Sequence, residues 1–214
     1  MNEISGRLIT FEGGEGTGKS TQAKLLVDAL GTAGIAAITT REPGGAPGAE
    51  AIRGLLVEGE GDRWDPFTET LLHITARHDH VQKTVRPALE SGKWVVSDRF
   101  LHSTLAYQGY GLGQELETID ALHDIALAGL APDLTLILDL DVEAGLARAE
   151  ARGDGAGTRY EEMGIEFHRR VRAGFLEMAG QAPDRFVVLD GNGDIDTVAA
   201  GVVSVVSRHF DLEL

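Results

Sequence analysis

A short apolar run, Leu8, Ile9 and Phe11, leads into Gly13-x-x-x-x-Gly18-Lys19-Ser20 and then into the amphipathic stretch Gln22 to Leu30. That order predicts a buried strand, a glycine-rich turn and a helix whose first turn closes over it. Glycines let successive backbone N–H groups converge on one anion without Cβ clashes, and the helix N-terminus favours negative charge at the same point. Gly13, Gly14, Glu15, Gly16, Thr17, Gly18, Lys19, Ser20 and Thr21 therefore read as a cradle for a nucleoside triphosphate, with Lys19 on the β/γ-phosphates and Ser20 as a Mg²⁺ ligand.

Beyond the cradle, strand-like and helix-like segments alternate. Strands are expected at Ile35–Thr40, Lys93–Asp98, Leu134–Asp139 and Phe186–Asp190, and helices at Ala46–Val57, Leu116–Leu130, Val142–Arg152, Tyr160–Ala179 and Ile195–Val206. Asp65 and Pro66 open a further helix with Leu71, Leu72, Ile74 and Thr75 on its apolar side and Arg77, His78, Asp79 and His80 on its polar side. Pro87 kinks that helix or starts a second segment running to Glu90, with Gly92 as its terminator. The alternation predicts an α/β domain spanning 1–214, with a five-stranded parallel sheet and helices on both faces. In such sheets ligands sit at the carboxyl ends of the strands, where Arg41-Glu42-Pro43-Gly44-Gly45 and Asp98-Arg99 fall.

A formal charge of −15 gives no basic face for general nucleic-acid or anionic-membrane binding, so an anionic ligand must be met by local arginines. The chain has no cysteine, which excludes disulfide and thiolate chemistry. No stretch has the length of a membrane span, and the first residues lack a basic region followed by an apolar run, so the expected location is the cytoplasm.

Four segments, Gly13–Ser20, Arg41–Gly45, Ser97-Asp98-Arg99-Phe100 and Ser103-Thr104-Leu105-Ala106-Tyr107-Gln108-Gly109, resemble the thymidylate kinase family in order and approximate spacing, over essentially the whole chain. The resemblance implies a P-loop nucleoside monophosphate kinase fold, a homodimer, dTMP and ATP as substrates, and transfer of the γ-phosphoryl group to give dTDP and ADP. It places Arg99, assisted by Arg53, on the acceptor phosphate, and Glu15 on the deoxyribose 3′-hydroxyl. Ser103, Tyr107 and Gln108 fall in the motif beside the acceptor, with Tyr107 and Gln108 lining sugar and base. Asp98 either supports Mg²⁺ through its water shell or orients Arg99. The P-loop holds no arginine, which matches members that take a catalytic arginine from a lid. Here the lid is about residues 148–160, with Arg148, Arg152 and Arg159 around a glycine-rich segment; Arg152 and Arg159 are the catalytic candidates beside Lys19 and Arg99.

The chain departs from the family pattern at Glu69-Thr70-Leu71-Leu72-His73-Ile74-Thr75-Ala76-Arg77, where His73 stands in place of the aromatic that stacks on thymine. Spacing of four keeps His73 and Arg77 on one helix face, with Arg77 expected on the base carbonyl. His73 either stacks on the base, titrating near neutral pH and weakening dTMP binding in acid, or is bonded to a neighbour while another side chain covers the ring. A GTPase switch is excluded because no Asn-Lys-x-Asp guanine motif exists. A P-loop kinase for another small acceptor, such as a different deoxynucleotide, a deoxynucleoside or shikimate, is the alternative. His78 and His80, two apart on a helix, point to different sides and are not expected to bind metal.

Overall fold

Side chains alternate along β1 (Leu8–Glu12): Ile9 and Phe11 pack on one side of the sheet, and Leu8 packs on the other. Glu12, one residue before the cradle, is thereby directed away from the Phe11 side. The structure is a computed structural model that describes residues 6–58, 63–151 and 159–214. Its elements are α1 (Lys19–Thr32), β2 (Ala37–Arg41), α2 (Pro47–Val57), α3 (Pro66–His80), a π-helical stretch Val81–Val85, α4 (Arg86–Glu90) and β3 (Trp94–Asp98). Then come α5 (Leu101–Thr104), a second π-helical stretch Leu105–Gly111, α6 (Leu116–Leu127), β4 (Leu134–Asp139), α7 (Val142–Ala151), α8 (Ile165–Gln181), β5 (Phe186–Asp190) and α9 (Ile195–Phe210).

The five strands form one parallel sheet in the order β2-β3-β1-β4-β5. On one face α1 and α9 cover Ile9, Phe11, Trp94, Val96, Leu136 and Leu138 with Leu26, Leu30, Val198, Val202 and Val206. On the other, Ile137 packs with Phe167, Val171 and Phe175 of α8, while Leu8 and Val95 pack with Val81, Val85 and Phe100. The register sets Phe11 opposite Asp98 and Asp98 opposite Arg41, so three strands deliver their carboxyl ends at one level.

Local chemistry accounts for the helix starts. The side chain of Asp65 accepts from the amides of Phe67 and Thr68, with Pro66 in the first turn of α3. By contrast α1 begins after Gly18, at φ 90°, with no side-chain cap, which leaves its first amides open to an anion.

Two expectations are corrected. The buried side of α3 is Glu69, Thr70, Ile74, Ala76, Arg77 and His80, whereas Phe67, Leu71 and Thr75 face outward. Polar residues turn inward because that face packs on the site rather than on an oily core. The helix expected from Tyr160 starts at Ile165, because Arg159 and Tyr160 are drawn into the α3 polar cluster. Pro87 does open a second segment, α4, after the π-helical stretch.

Candidate active site

Backbone geometry shapes the cradle. Gly13, at φ 133°, passes so close to β4 that a Cβ would lie 2.5 Å from the carbonyl oxygen of Leu138. Gly16, at φ 66°, packs on Gly145 of α7, and a Cβ on Gly145 would meet the Glu15 carbonyl. Lys19 is buried, its Nζ donating to Gly14 O (2.6 Å) and Thr17 Oγ1 (3.2 Å). Burial, with Arg99 nearby, pushes its pKa down to about 8. Ser20 Oγ donates to Asp98 Oδ2, which brings the two expected Mg²⁺ residues together. Hydroxyl and carboxylate oxygens are the donors that this hard cation takes, so the pair fits it.

Arg99 is the hub beside the cradle. Its backbone is left-handed at φ 68°. Nη1 donates to Gly13 O (3.0 Å) and Ser103 Oγ (3.1 Å), and Nη2 to Glu15 Oε1 (2.9 Å) and Tyr107 Oη (3.0 Å). Tyr107 also donates to Glu15 Oε1 at 2.6 Å. Although burial raises the Glu15 pKa, Arg99 and then Lys19 outweigh it and bring the value down to about 2.

Glu12 supports this hub from beneath, and the sequence reading did not single it out. Its Oε1 accepts from the amides of Phe100 (2.9 Å) and Ser103 (3.3 Å), and its Oε2 from Ser103 Oγ (2.5 Å). Burial lifts its pKa from 4.5 to about 7. The folded state therefore holds the proton more tightly than the unfolded chain, and stability falls as pH rises from about 4.5 through 7. Between pH 5 and 8 the stability of Glu12→Gln relative to wild type should rise by up to about 3 kcal/mol in denaturant titrations. A difference that stays constant with pH would contradict this.

From the Ser20–Asp98 pair a cavity of about 240 Å³ extends past Glu15, Arg99 and Tyr107 to His73, Arg77 and Gln108. Arg53 lines it, donating to Pro43 O at 2.9 Å, and Arg41 and Glu42 add further charge. Arg77 is buried and donates through Nε to Glu42 (2.6 Å), through Nη1 to Thr104 (2.9 Å) and His123 Nε2 (2.9 Å), and through Nη2 to Phe100 O (3.0 Å). Of its five N–H groups, those bonds leave one on Nη2. His78 and His80 are engaged elsewhere, with Ala126 O and with Glu42 and Thr40 respectively.

His73 lines the cavity, and its Nε2 bonds a neighbour, Tyr160 Oη, at 2.9 Å. The expected titration near neutral pH is corrected. Burial, then the charges of Arg77, Arg159 and Arg99, push its pKa down to about 3, so the ring stays neutral throughout the working range. His73→Phe should leave the shape of the acceptor-affinity profile unchanged between pH 5 and 8. A pH-dependent component that disappears in the variant would show that the ring does titrate there.

Arg159 is also corrected. Its guanidinium is buried in an ion pair with Glu69 and donates to Leu56 O at 2.6 Å. That pair commits it to Glu69, because moving the guanidinium away would leave Glu69 as an uncompensated buried charge. Arg148 donates to Gly191 O at 2.9 Å. Arg152 and the glycine-rich segment of the expected lid lie outside the described residues. Tyr160 lines the far end of the cavity, and its hydroxyl donates at 2.7 Å to Oε1 of Glu69, which lies behind the cavity wall. Tyr160 carried no local signal, since no motif surrounds it and its partners His73 and Glu69 stand 87 and 91 residues away.

Residues 11–202 match the family model described as thymidylate kinase. The thymidylate kinase of Caulobacter vibrioides is 53% identical over 207 residues, covering 97% of this chain and 99% of that protein. That of Ruegeria pomeroyi is 48% identical over 207 residues, covering 97% of each. A crystal structure of thymidylate kinase from Ehrlichia chaffeensis is similar with a TM-score of 0.77 at 34% identity, covering 94% of this chain and 99% of that one. With the cradle, the Arg99 hub and the cavity in place, these full-length matches establish that the chain belongs to the thymidylate kinase family.

Proposed function

We propose that this chain, working as one kinase domain, transfers the γ-phosphoryl group of ATP to dTMP, giving dTDP and ADP on the way to dTTP for DNA replication. One observation supports this above the others: a single cavity joins the Ser20–Asp98 end of the triphosphate cradle to a pocket containing both a guanidinium and an amide. Phosphoryl transfer asks mainly for in-line placement of two polyanions and for positive charge around the moving group. Lys19 and the cradle amides hold the donor. Arg99, helped by Arg53, holds the acceptor phosphate, one oxygen of which attacks the γ-phosphorus as the bond to the β-bridging oxygen breaks.

Glu15 accepts from the 3′-hydroxyl, and Tyr107 packs beside the sugar. The remaining N–H of Arg77 meets a base carbonyl, Gln108 meets the adjacent ring nitrogen, and His73 lies against the ring. Ser20 and Asp98 would hold Mg²⁺, which when bound neutralises phosphate charge. Arg152 is the lid arginine that remains once Arg159 is committed to Glu69; it rests on the family resemblance. Among the described residues no helix is long and apolar enough to cross a membrane, and we place the activity in the cytoplasm. The exposed Leu55, Phe67, Leu71 and Ile125, on α2, α3 and α6, support a homodimer through that side, which sedimentation velocity would detect.

Coupled ADP release with dTMP, dUMP, dCMP, dAMP, thymidine and shikimate tests the reading. The highest kcat/KM should belong to dTMP. Preference for thymidine or shikimate, or no acceptor-dependent release, would overturn it.

A further inference from the structure

We propose that Glu69 is a positioning residue that fixes the hydrogen-bond polarity of the base pocket and so selects a pyrimidine with a ring N–H over one with a bare ring nitrogen. This deepens, and rests on, the acceptor reading above.

Glu69 is 1% exposed, in the first turn of α3. One oxygen is paired with Arg159, whose side chain is equally buried. The other accepts from Tyr160 Oη (2.7 Å) and Gln108 Nε2 (2.8 Å). A carboxylate can only accept, and this single property propagates through the pocket. Gln108 must turn its NH₂ toward Glu69, which directs its carbonyl oxygen the other way. Among the described residues that oxygen has no hydrogen-bond donor, and Gln108 lines the cavity. Tyr160 spends its proton on Glu69, so it must accept from His73, whose Nε2 then carries the hydrogen.

The cavity therefore offers an acceptor at Gln108 and a donor at Arg77. A base with a ring N–H next to a carbonyl satisfies both. Cytosine would set a ring lone pair against the Gln108 oxygen and an amino group against the guanidinium, leaving both protein groups mispaired. With Glu69→Gln the new side chain can donate as well as accept, so Gln108 is free to turn over and its preference for a ring N–H is lost.

The test is the ratio of kcat/KM for dTMP to that for dCMP, measured in wild type, Glu69→Gln and Gln108→Leu. In Glu69→Gln the ratio should fall about 10- to 100-fold, the worth of a mispaired hydrogen bond, while KM for ATP is unchanged. In Gln108→Leu the ratio should also fall, and adding Glu69→Gln to it should lower the ratio no further. If the lone Glu69 substitution does not fold because it takes the buried carboxylate from Arg159, Glu69→Gln/Arg159→Gln removes both charges of the pair and should give the same fall. A general packing defect would lower both acceptors alike. An unchanged ratio in a folded Glu69 variant, or in Gln108→Leu, overturns the role of Glu69. A wild type that does not prefer dTMP to dCMP overturns the acceptor reading instead.

Discussion

Lys19→Ala should lower kcat by about a thousandfold while the protein stays folded. Lys19 sits in the first turn of α1, its ammonium held 2.6 Å from Gly14 O inside the loop. Alanine keeps the helix and the glycine turn, whose shape depends on Gly13 and Gly16 rather than on the lysine. Stability should be unchanged or slightly higher, since removing a buried ammonium relieves the desolvation that depresses its pKa to about 8. What is lost is a fixed positive charge where negative charge builds up in the transition state. Steady-state kinetics with a thermal melt would check both halves. A near-normal kcat would mean that the cradle does not hold the donor.

The second large effect falls on the acceptor. Arg99→Ala should lower kcat/KM for dTMP by roughly a thousandfold and leave KM for ATP within about threefold, as a half-buried charge-assisted fork is lost from one substrate alone. Arg99→Lys should not rescue it, because an ammonium cannot span Gly13 O, Ser103, Glu15 and Tyr107 together. The left-handed backbone at Arg99 points the same way: a non-glycine residue held at φ 68° is kept there by the bonds of its own side chain and by Glu12 beneath the next residues. Equal losses for both substrates would move Arg99 to a shared or purely structural role.

The cradle, the sheet and the Arg99 motif were legible in the sequence because each is local: a strand, its carboxyl end and the loop beyond it are contiguous. Leu134–Asp139 and Phe186–Asp190 matched residue for residue for the same reason. Apolar periodicity failed on α3, where Leu71 faces out and Arg77 and His80 face in, because that helix packs its inner side on a polar site. The fate of Arg159 was hidden too. A basic residue beside a glycine-rich stretch reads as a lid cation, and only the tertiary placement of Glu69 shows that it is spoken for. The neutrality of His73 likewise depends on its burial and on Arg159 and Arg99, which two other segments bring beside Arg77 of its own helix.

On the proposed function, a phosphoryl group passes directly from ATP to a dTMP phosphate oxygen in this cavity. Phosphorus NMR of the enzyme with MgATP and dTMP observes that transfer itself. The signals of dTDP and ADP should rise together in equal amounts, with no inorganic phosphate ahead of them and with neither formed when dTMP is left out. ADP and inorganic phosphate accumulating without dTDP would contradict the account.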